Sequence, residues 1–264
     1  MRRGVLAVII ASLFLLQPWM TTGGDIFHHT MSQSYSENQL FNQTGFYEDG
    51  TYTTSDGESH VSKPHIQWTS SNQGLVGIKS GACSVAIESL DEVWLMGGRT
   101  DPNPTQSGDE IPSDMVETMD NKNKTWLPAN TNMPFTQQYC EAGIIGDNIF
   151  VVGDWLRNSN PPEYPSGRVQ IYNLTNNTWY NGSPMPSTHE RGLGGMAEHN
   201  GYLYYAGGVR DSTGNDATNM TYRYDPLNDQ WTQMANMNQP RASFELINFH
   251  GQLYAMGGFQ GSQT

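Results

Sequence analysis

The sequence of 264 residues is long enough for one large or two small domains. Its 26 acidic residues outnumber its 13 basic ones, and the formal net charge at pH 7 is −13. A surface with that charge repels nucleic acid and anionic lipid headgroups, so we expect neither as a partner. The 28 glycines and 14 prolines follow no collagen-like period, and they indicate the many turns of an all-β protein with short strands.

Residues 1–24 have the pattern of an export signal. Arg2 and Arg3 precede an apolar run from Val5 to Leu16, which is the arrangement of a secretory leader. The run of 12 residues is short for a membrane-spanning helix, which needs about 20. No A-x-A-like cleavage site is present, so an uncleaved signal anchor is the alternative to a cleaved signal peptide. Either way we expect an extracellular location.

Residues 25–64 are rich in Ser, Thr, Asn, Gln, Gly and Tyr. With few aliphatic side chains, this segment cannot bury enough apolar surface to offset the entropy lost on ordering. We therefore predict a low-complexity extracellular linker between the leader and residues 65–264.

Two kinds of marker recur in the rest of the chain at intervals of 50 to 56 residues. Apolar stretches end at glycines, with Asp154 in place of the second glycine of one pair: Gly97 and Gly98, Gly153, Gly207 and Gly208, Gly257 and Gly258. Tryptophan keeps the same spacing at Trp126, Trp179 and Trp231. Because different residue types share one period, the sequence contains a structural repeat.

Each repeat predicts four antiparallel strands, and the third shows their order best. Strand a, residues 192–198, leads through the turn dipeptide Asn200-Gly201 to strand b, residues 202–206. A loop follows, and then strand c, residues 221–224, and strand d around Trp231.

The repeat resembles the kelch repeat, in which Gly-Gly ends strand b, Tyr lies in strand c and Trp lies in strand d. Tyr172 and Tyr224 occupy the Tyr position, and Met119 replaces it in the first repeat. The resemblance covers residues 65–264 and implies an all-β kelch-type β-propeller of four-stranded blades, as in galactose oxidase-like proteins. Because Asp154 departs from Gly-Gly, we expect strand b of the second blade to end differently.

The sequence predicts about three full blades and part of a fourth. Residues 66–69 around Trp68 have the spacing of a lone outer strand d, and strands a and b of a fourth blade end at Gly257 and Gly258. Because propellers close with 4 to 8 blades, we expect a longer reading frame, with closure by self-association as the alternative.

Five arginines map to one face of the predicted propeller, the face that carries the b–c and d–a connections. They are Arg99, Arg157, Arg191, Arg210 and Arg241. Since the guanidinium fork suits carboxylates, they are candidate binding residues for an acidic sugar or side chain. The alternative is local ion pairing, for example of Arg191 with Glu190 and of Arg210 with Asp216.

We predict no catalytic residue, no metal site and no cofactor. The histidines do not cluster, and only His189 maps to the arginine face. The preferred function is recognition of an extracellular protein or glycan. The resemblance keeps a carbohydrate-active enzyme open as the alternative, like a sialic-acid epimerase or galactose oxidase, and a purely structural module is the third possibility.

Six Asn-x-Ser/Thr motifs are candidate N-glycosylation sites if the host glycosylates exported proteins. They begin at Asn42, Asn123, Asn173, Asn176, Asn181 and Asn219. The two cysteines, Cys83 and Cys140, fall in strands a of consecutive blades at positions that differ by one. We predict two free, buried thiols, although export makes a disulfide chemically possible.

Processing of the N-terminus gives the first testable prediction. Because the apolar run is short, we expect release of a mature chain that starts near residues 21–25. Sequencing the N-terminus of the exported product measures this. A membrane-bound product that still carries Met1 would favour the signal anchor instead.

Overall fold

The computed structural model describes residues 51–53, 59–61, 75–100, 111–120, 122–154, 165–211 and 215–260. The predicted leader, the predicted strand around Trp68, Asn42 and Arg157 lie outside these residues. No helix that could cross a bilayer occurs in the part of the chain that the structure describes. The chain divides into two compact units. The smaller comprises residues 13–71, and the larger comprises residues 1–12 and 72–264.

The described residues of the smaller unit form an antiparallel hairpin. Strand β1 (Thr51–Thr53) pairs with β2 (Ser59–Val61), with Tyr52 opposite His60. This hairpin falls within the segment that the sequence predicts as a linker.

The larger unit is a row of antiparallel sheets that follow one another along the chain. The first blade contains β3 (Ile78–Ile87), β4 (Glu92–Thr100), β5 (Ile111–Pro112), β6 (Val116–Asp120) and β7 (Thr125–Pro128). The second contains β8 (Glu141–Ile145), β9 (Asn148–Val152), β10 (Val169–Asn173) and β11 (Thr178–Gly182). The third contains β12 (Gly195–His199), β13 (Tyr202–Ala206), β14 (Thr221–Asp225) and β15 (Gln230–Gln233). The fourth contains β16 (Glu245–Phe249) and β17 (Gln252–Met256).

The first strands of successive sheets lie side by side, with β8 between β3 and β12, and β12 between β8 and β16. Each four-stranded sheet runs outward from its first strand in chain order, and β5 adds a short pairing to β4. This is the predicted arrangement of propeller blades, all-β and four-stranded, with two strands of a fourth blade.

Strand register confirms the alignment of the repeats. Trp126 lies opposite Met119, just as Trp179 lies opposite Tyr172 and Trp231 opposite Tyr224. The Trp179 indole donates to Thr131 Oγ1 at 3.0 Å, and the Trp231 indole donates to the Ser183 carbonyl at 2.9 Å. Each of these two tryptophans therefore fastens the outer strand of its blade to the connection that leads into that blade.

The core lies between blades because neighbouring side chains of a strand point to opposite faces. In β9, Ile149 and Val151 pack towards the first blade, whereas Phe150 and Val152 pack towards the third. All four are at most 1% exposed. This two-sided burial explains why the strand is apolar at consecutive positions rather than at alternate ones.

The repeated glycines are required by the close approach of successive blades. All seven marker glycines have positive φ, from 64° at Gly207 to 90° at Gly208. A Cβ at Gly97 would lie 2.2 Å from the Gln137 carbonyl oxygen, and one at Gly207 would lie 2.3 Å from that of Arg241. Only glycine leaves room for the carbonyl of the next blade there.

A hydrogen bond to the next blade recurs at the end of strand b in each of the first three blades. The amides of Gly98 and Gly208 donate to the Gln137 and Arg241 carbonyls at 2.7 and 2.8 Å. In the second blade, the Asp154 amide donates to the Arg191 carbonyl at 3.1 Å. Unlike Gly98 and Gly208, Asp154 does not have a positive φ. Strand b of this blade thus ends in a different backbone conformation, as the sequence predicts, while its hydrogen bond to the next blade is kept.

A second series of hydrogen bonds joins the starts of the first strands. Tyr139 N donates to Gly81 O at 2.6 Å, Leu193 N to Tyr139 O at 3.1 Å and Ser243 N to Leu193 O at 2.7 Å. All four residues have positive φ, between 50° and 65°. A positive φ is unfavourable for Tyr, Leu and Ser, so these contacts stabilise backbone that the residues would not adopt alone.

Buried polar side chains hold the connections between blades. Glu117 is 0% exposed and accepts hydrogen bonds from three consecutive amides, Val76, Gly77 and Ile78, at 2.6 to 3.0 Å. At the equivalent place in β10, Gln170 bonds both the amide and the carbonyl of Phe135. These contacts satisfy polar groups that burial would otherwise leave unpaired.

Substitution of two glycines tests the blade junction. Gly207→Ala should cost about 3 kcal/mol or more, because its Cβ would collide with a backbone carbonyl. Gly201→Ala is the matched control, since Gly201 has a φ of 78° but nothing within 4 Å of its missing Cβ. We expect the control to lose about 1 kcal/mol, from the backbone term alone. Denaturant unfolding measures both, and equal losses would show that the close approach is unimportant.

Candidate functional site

The candidate site lies on the face of the propeller that carries two kinds of connection. One kind joins strand b to strand c within a blade, and the other joins strand d of one blade to strand a of the next. We call this face the loop face. Between the second and third blades, residues 183–194 lead into β12 and residues 207–220 join β13 to β14. The two segments are joined by mutual backbone hydrogen bonds between Gly192 and Val209, at 3.1 and 2.9 Å. This pairing brings Arg191 and Arg210, neighbours of the bonded residues, to one place.

Arg191 is built into the blade junction. It is 6% exposed, and its Nε donates to the His189 carbonyl at 2.9 Å. Its own carbonyl accepts from the Asp154 amide and from the buried Tyr205 hydroxyl at 3.3 Å. The backbone position of this arginine is therefore set by contacts with Asp154, just after the end of β9, and with Tyr205 in β13.

Arg210 is held by acids of its own face. Its amide donates to Asp216 Oδ1 at 2.7 Å, and its Nε lies 4.0 Å from Glu190 Oε2. The side chain of Arg210 is 33% exposed and that of Glu190 is 21% exposed. A contact of that length in partly solvated surroundings is a weak ion pair. We call His189, Glu190, Arg191, Arg210, Asp216 and Tyr222 the arginine cluster.

The charge of Arg191 is incompletely compensated. Burial lowers the pKa of the Arg191 guanidinium below its usual range, and the charge of Arg210 lowers it further. Tyr205, Asp216 and Tyr222 act in the opposite direction. Among the residues that the structure describes, no carboxylate forms a salt bridge with Arg191. The expected pairing of Arg191 with Glu190 is therefore absent from the described part of the chain, since Glu190 faces Arg210.

Two buried polar atoms in the connections between blades, His189 Nδ1 and Gln138 Oε1, have no hydrogen-bond partner among the described residues. The His189 ring lies 5.3 Å from that of Tyr222. Next to Gln138, burial raises the pKa of the Asp154 carboxyl, although hydrogen bonds from Gln138 and Ser166 lower it. The cluster thus offers donors, acceptors and an aromatic face in addition to two cations.

The other predicted arginines lie elsewhere in the fold or outside the described residues. Arg99 is in β4, opposite Pro112 and Ser80. Arg241 lies at the next blade junction, where its Nη1 donates to the Gly257 carbonyl at 2.6 Å. Arg157 is outside the described residues. The structure thus brings together Arg191 and Arg210, each supplied by a different connection.

The candidate glycosylation residues differ in how far their side-chain nitrogens are engaged. Asn173 Nδ2 donates to Asn148 Oδ1 at 2.9 Å, and Asn219 Nδ2 donates to the Met237 carbonyl at 3.0 Å, both partly buried. Asn123, Asn176 and Asn181 are exposed, although Asn123 Nδ2 donates to Asp120 Oδ2 at 2.7 Å. Occupancy of any of these sites stays a prediction.

Two glutamates that the sequence analysis did not single out lie at the inner strands. Glu141 opens β8 and Glu245 opens β16. Burial raises the pKa of Glu141 well above its usual range, and the charge of Glu245 raises it further. Their common distance from the marker glycines could have shown that they occupy equivalent positions. Across the described residues, no group of three or more His, Cys, Asp or Glu side chains is arranged to hold a metal ion.

Glu141 should make stability depend on pH. Because its pKa is raised in the folded state, the folded protein binds this proton more tightly than the unfolded chain does. Stability should therefore fall as the pH rises from the usual glutamate range through the raised pKa. Glu141→Gln should be more stable than the wild type at neutral pH, and the difference should vanish in acid. Denaturant unfolding at several pH values measures this, with Glu88→Gln at an exposed position as the matched control.

Comparison with known proteins agrees with the fold. A family model described as the Kelch motif matches residues 190–238. Kelch-like protein 40 of Xenopus tropicalis is 28% identical over 233 residues, which cover 87% of this chain and 35% of that protein. Kelch-like protein 36 of Rattus norvegicus is 39% identical over 85 residues, or 31% of this chain and 14% of that one. The chain thus spans about a third or less of the length of these relatives.

A solved structure, that of YjhT, superposes with a TM-score of 0.59 at 13% identity. The match covers 80% of this chain and 73% of that protein, and at such low identity it supports the fold alone. Together with the repeat register and the four-stranded sheets, these matches show kelch-type repeats folded as the blades of a β-propeller.

Proposed function

We propose that this protein is a binding module that recognises an anionic group on an extracellular protein or glycan through its loop face. The observation that carries this proposal is the meeting of Arg191 and Arg210, where the charge of Arg191 is buried without a salt bridge to a described residue. A buried charge is costly unless it is paired. A ligand carboxylate would supply the missing counter-charge.

The electrostatics of the cluster favour a ligand with a localised negative charge. The net charge of −13 repels anions at long range, so attraction has to come from nearby guanidinium groups. Arg210 Nε lies 4.0 Å from Glu190 Oε2, a contact between partly exposed side chains with which a well-placed ligand oxygen could compete. Arginine can bind a carboxylate through two parallel hydrogen bonds, which gives the contact direction as well as strength.

The aromatic rings beside the charges suit a sugar or peptide better than a simple ion. The paired rings of His189 and Tyr222 provide a flat surface beside the charges. Small-molecule and peptide sites commonly combine a few convergent polar groups with such aromatic surface.

Removal of Arg210 tests the proposal. We would titrate the full chain with N-acetylneuraminic acid, glucuronic acid and an acidic peptide, and measure binding by calorimetry. At least one should bind, and Arg210→Ala should weaken that binding by about 10- to 100-fold, the usual cost of losing a charged hydrogen bond. Salt should weaken it as well, and neutral sugars should not bind.

Arg223→Ala provides the matched control. Arg223 lies in β14 with its guanidinium 4.3 Å from the centre of the Tyr202 ring, outside the arginine cluster. This variant changes the net charge by the same amount and should bind the anion as the wild type does. If none of the anions binds, or if both variants lose affinity equally, the proposed function is wrong.

A further inference from the structure

The two cysteine thiols of the chain meet at a single carbonyl group. Cys83 Sγ lies 3.6 Å from the Met96 carbonyl oxygen, and Cys140 Sγ lies 3.8 Å from the same atom. The two sulfur atoms are therefore neighbours on one side of this carbonyl group. Both cysteines are free and 5% exposed, as the sequence analysis predicts.

The architecture of the blades brings these residues together. Cys83 lies in β3 opposite Met96, and Glu141 lies opposite Val152 at the equivalent place in β8. Cys140 therefore precedes the position equivalent to Cys83 by one residue. Because β3 and β8 are neighbouring inner strands, the offset places the two sulfurs across the junction of the first two blades.

We propose that Cys83 and Cys140 are a modification site that forms a disulfide by exchange with a small-molecule disulfide such as oxidised glutathione. Both sulfur atoms lie within 3.8 Å of one carbonyl oxygen, which makes them close neighbours across the junction. A disulfide requires Cα atoms no more than about 7 Å apart, and the neighbouring positions of β3 and β8 suit this requirement. The bond would join the innermost strands of consecutive blades.

The reaction proceeds by two successive exchanges. One cysteine loses its proton, and its thiolate attacks a sulfur of oxidised glutathione, which forms a mixed disulfide and releases one glutathione thiolate. The second cysteine then loses its proton and attacks the protein sulfur of the mixed disulfide, which forms the Cys83–Cys140 bond and releases a second glutathione. The two cysteines lose two electrons, and oxidised glutathione gains them to become two thiols.

The surroundings explain why the pair is stable as thiols until such an oxidant is present. Burial raises the pKa of the Cys83 thiol well above its usual range. The neighbouring Cys140 thiol and the negative charge of Glu141 raise the pKa further, whereas a backbone hydrogen bond lowers it. Because the thiolate is the reactive form, exchange should be slow at neutral pH and faster in alkali.

A bond at this place should stabilise the propeller. It would close a loop of the chain from residue 83 to residue 140, which contains most of the first blade and its connection to the second. Cross-linking residues that are distant in sequence restricts the unfolded chain more than the folded one. The oxidised protein should therefore unfold at higher temperature than the reduced protein.

The test uses the full chain, reduced first and then incubated with oxidised glutathione at alkaline pH. After quenching, the protein is unfolded in denaturant, alkylated and digested, and the peptides are identified by mass spectrometry. We expect the peptides of Cys83 and Cys140 to be linked within one chain, and the melting temperature to rise by several degrees until dithiothreitol reverses the change. Alkylation of both cysteines after the incubation, or glutathione adducts without the linked peptide, would overturn the proposal.

Two further measurements separate the bond from general effects of the oxidant. Cys140→Ala, with Cys83 intact, should show no rise in melting temperature. For the wild type alone, the ratio of oxidised to reduced glutathione at half-oxidation should be at least about 30-fold lower in native buffer than in denaturant, since the fold favours the bond. Equal ratios in the two conditions would show that the folded structure does not hold the thiols in a position to react. Neither readout depends on the loop face, so the proposed function and this inference can fail separately.

Discussion

Hydrogen bonds between the backbones of successive blades are the interaction on which the rest of this structure depends. They run from Tyr139 to Gly81, from Leu193 to Tyr139 and from Ser243 to Leu193. They form only because these residues accept a positive φ, which is unfavourable for Tyr, Leu and Ser. The marker glycines make the same approach possible from the other side of each junction, since a side chain there would collide with a carbonyl.

Both proposed sites follow from this junction. Arg191 is two residues before Leu193, and its carbonyl is bonded by Asp154 and Tyr205, so the arginine is fixed where the second and third blades meet. Cys140 directly follows Tyr139, and the same contact at the preceding junction sets its thiol beside that of Cys83. We thus expect the functional sites of this protein at the junctions between blades rather than within a single sheet.

Polar burial complements the apolar core. Glu117 and Gln170 occupy equivalent strands and hold the segments that lead into their blades, one with a carboxylate and the other with an amide. Such groups are tolerated inside a protein when their hydrogen bonds are made. Glu141 is the contrasting case, because burial and the nearby Glu245 act against its charge. Its expected pH dependence would show how much the inner strands are desolvated.

The sequence by itself determined the period of the repeat, the order of the strands and the positions of Trp126, Trp179 and Trp231. The reason is that the turn residues and glycines that set these features act locally. The sequence also showed that Asp154 would change the end of its strand. Only the tertiary structure decided that Arg210 faces Glu190 while Arg191 does not, that Glu141 lies near Glu245, and that Cys83 and Cys140 share one carbonyl oxygen. Those contacts join residues from different blades or connections, and their distances depend on how the blades pack, which no local pattern records.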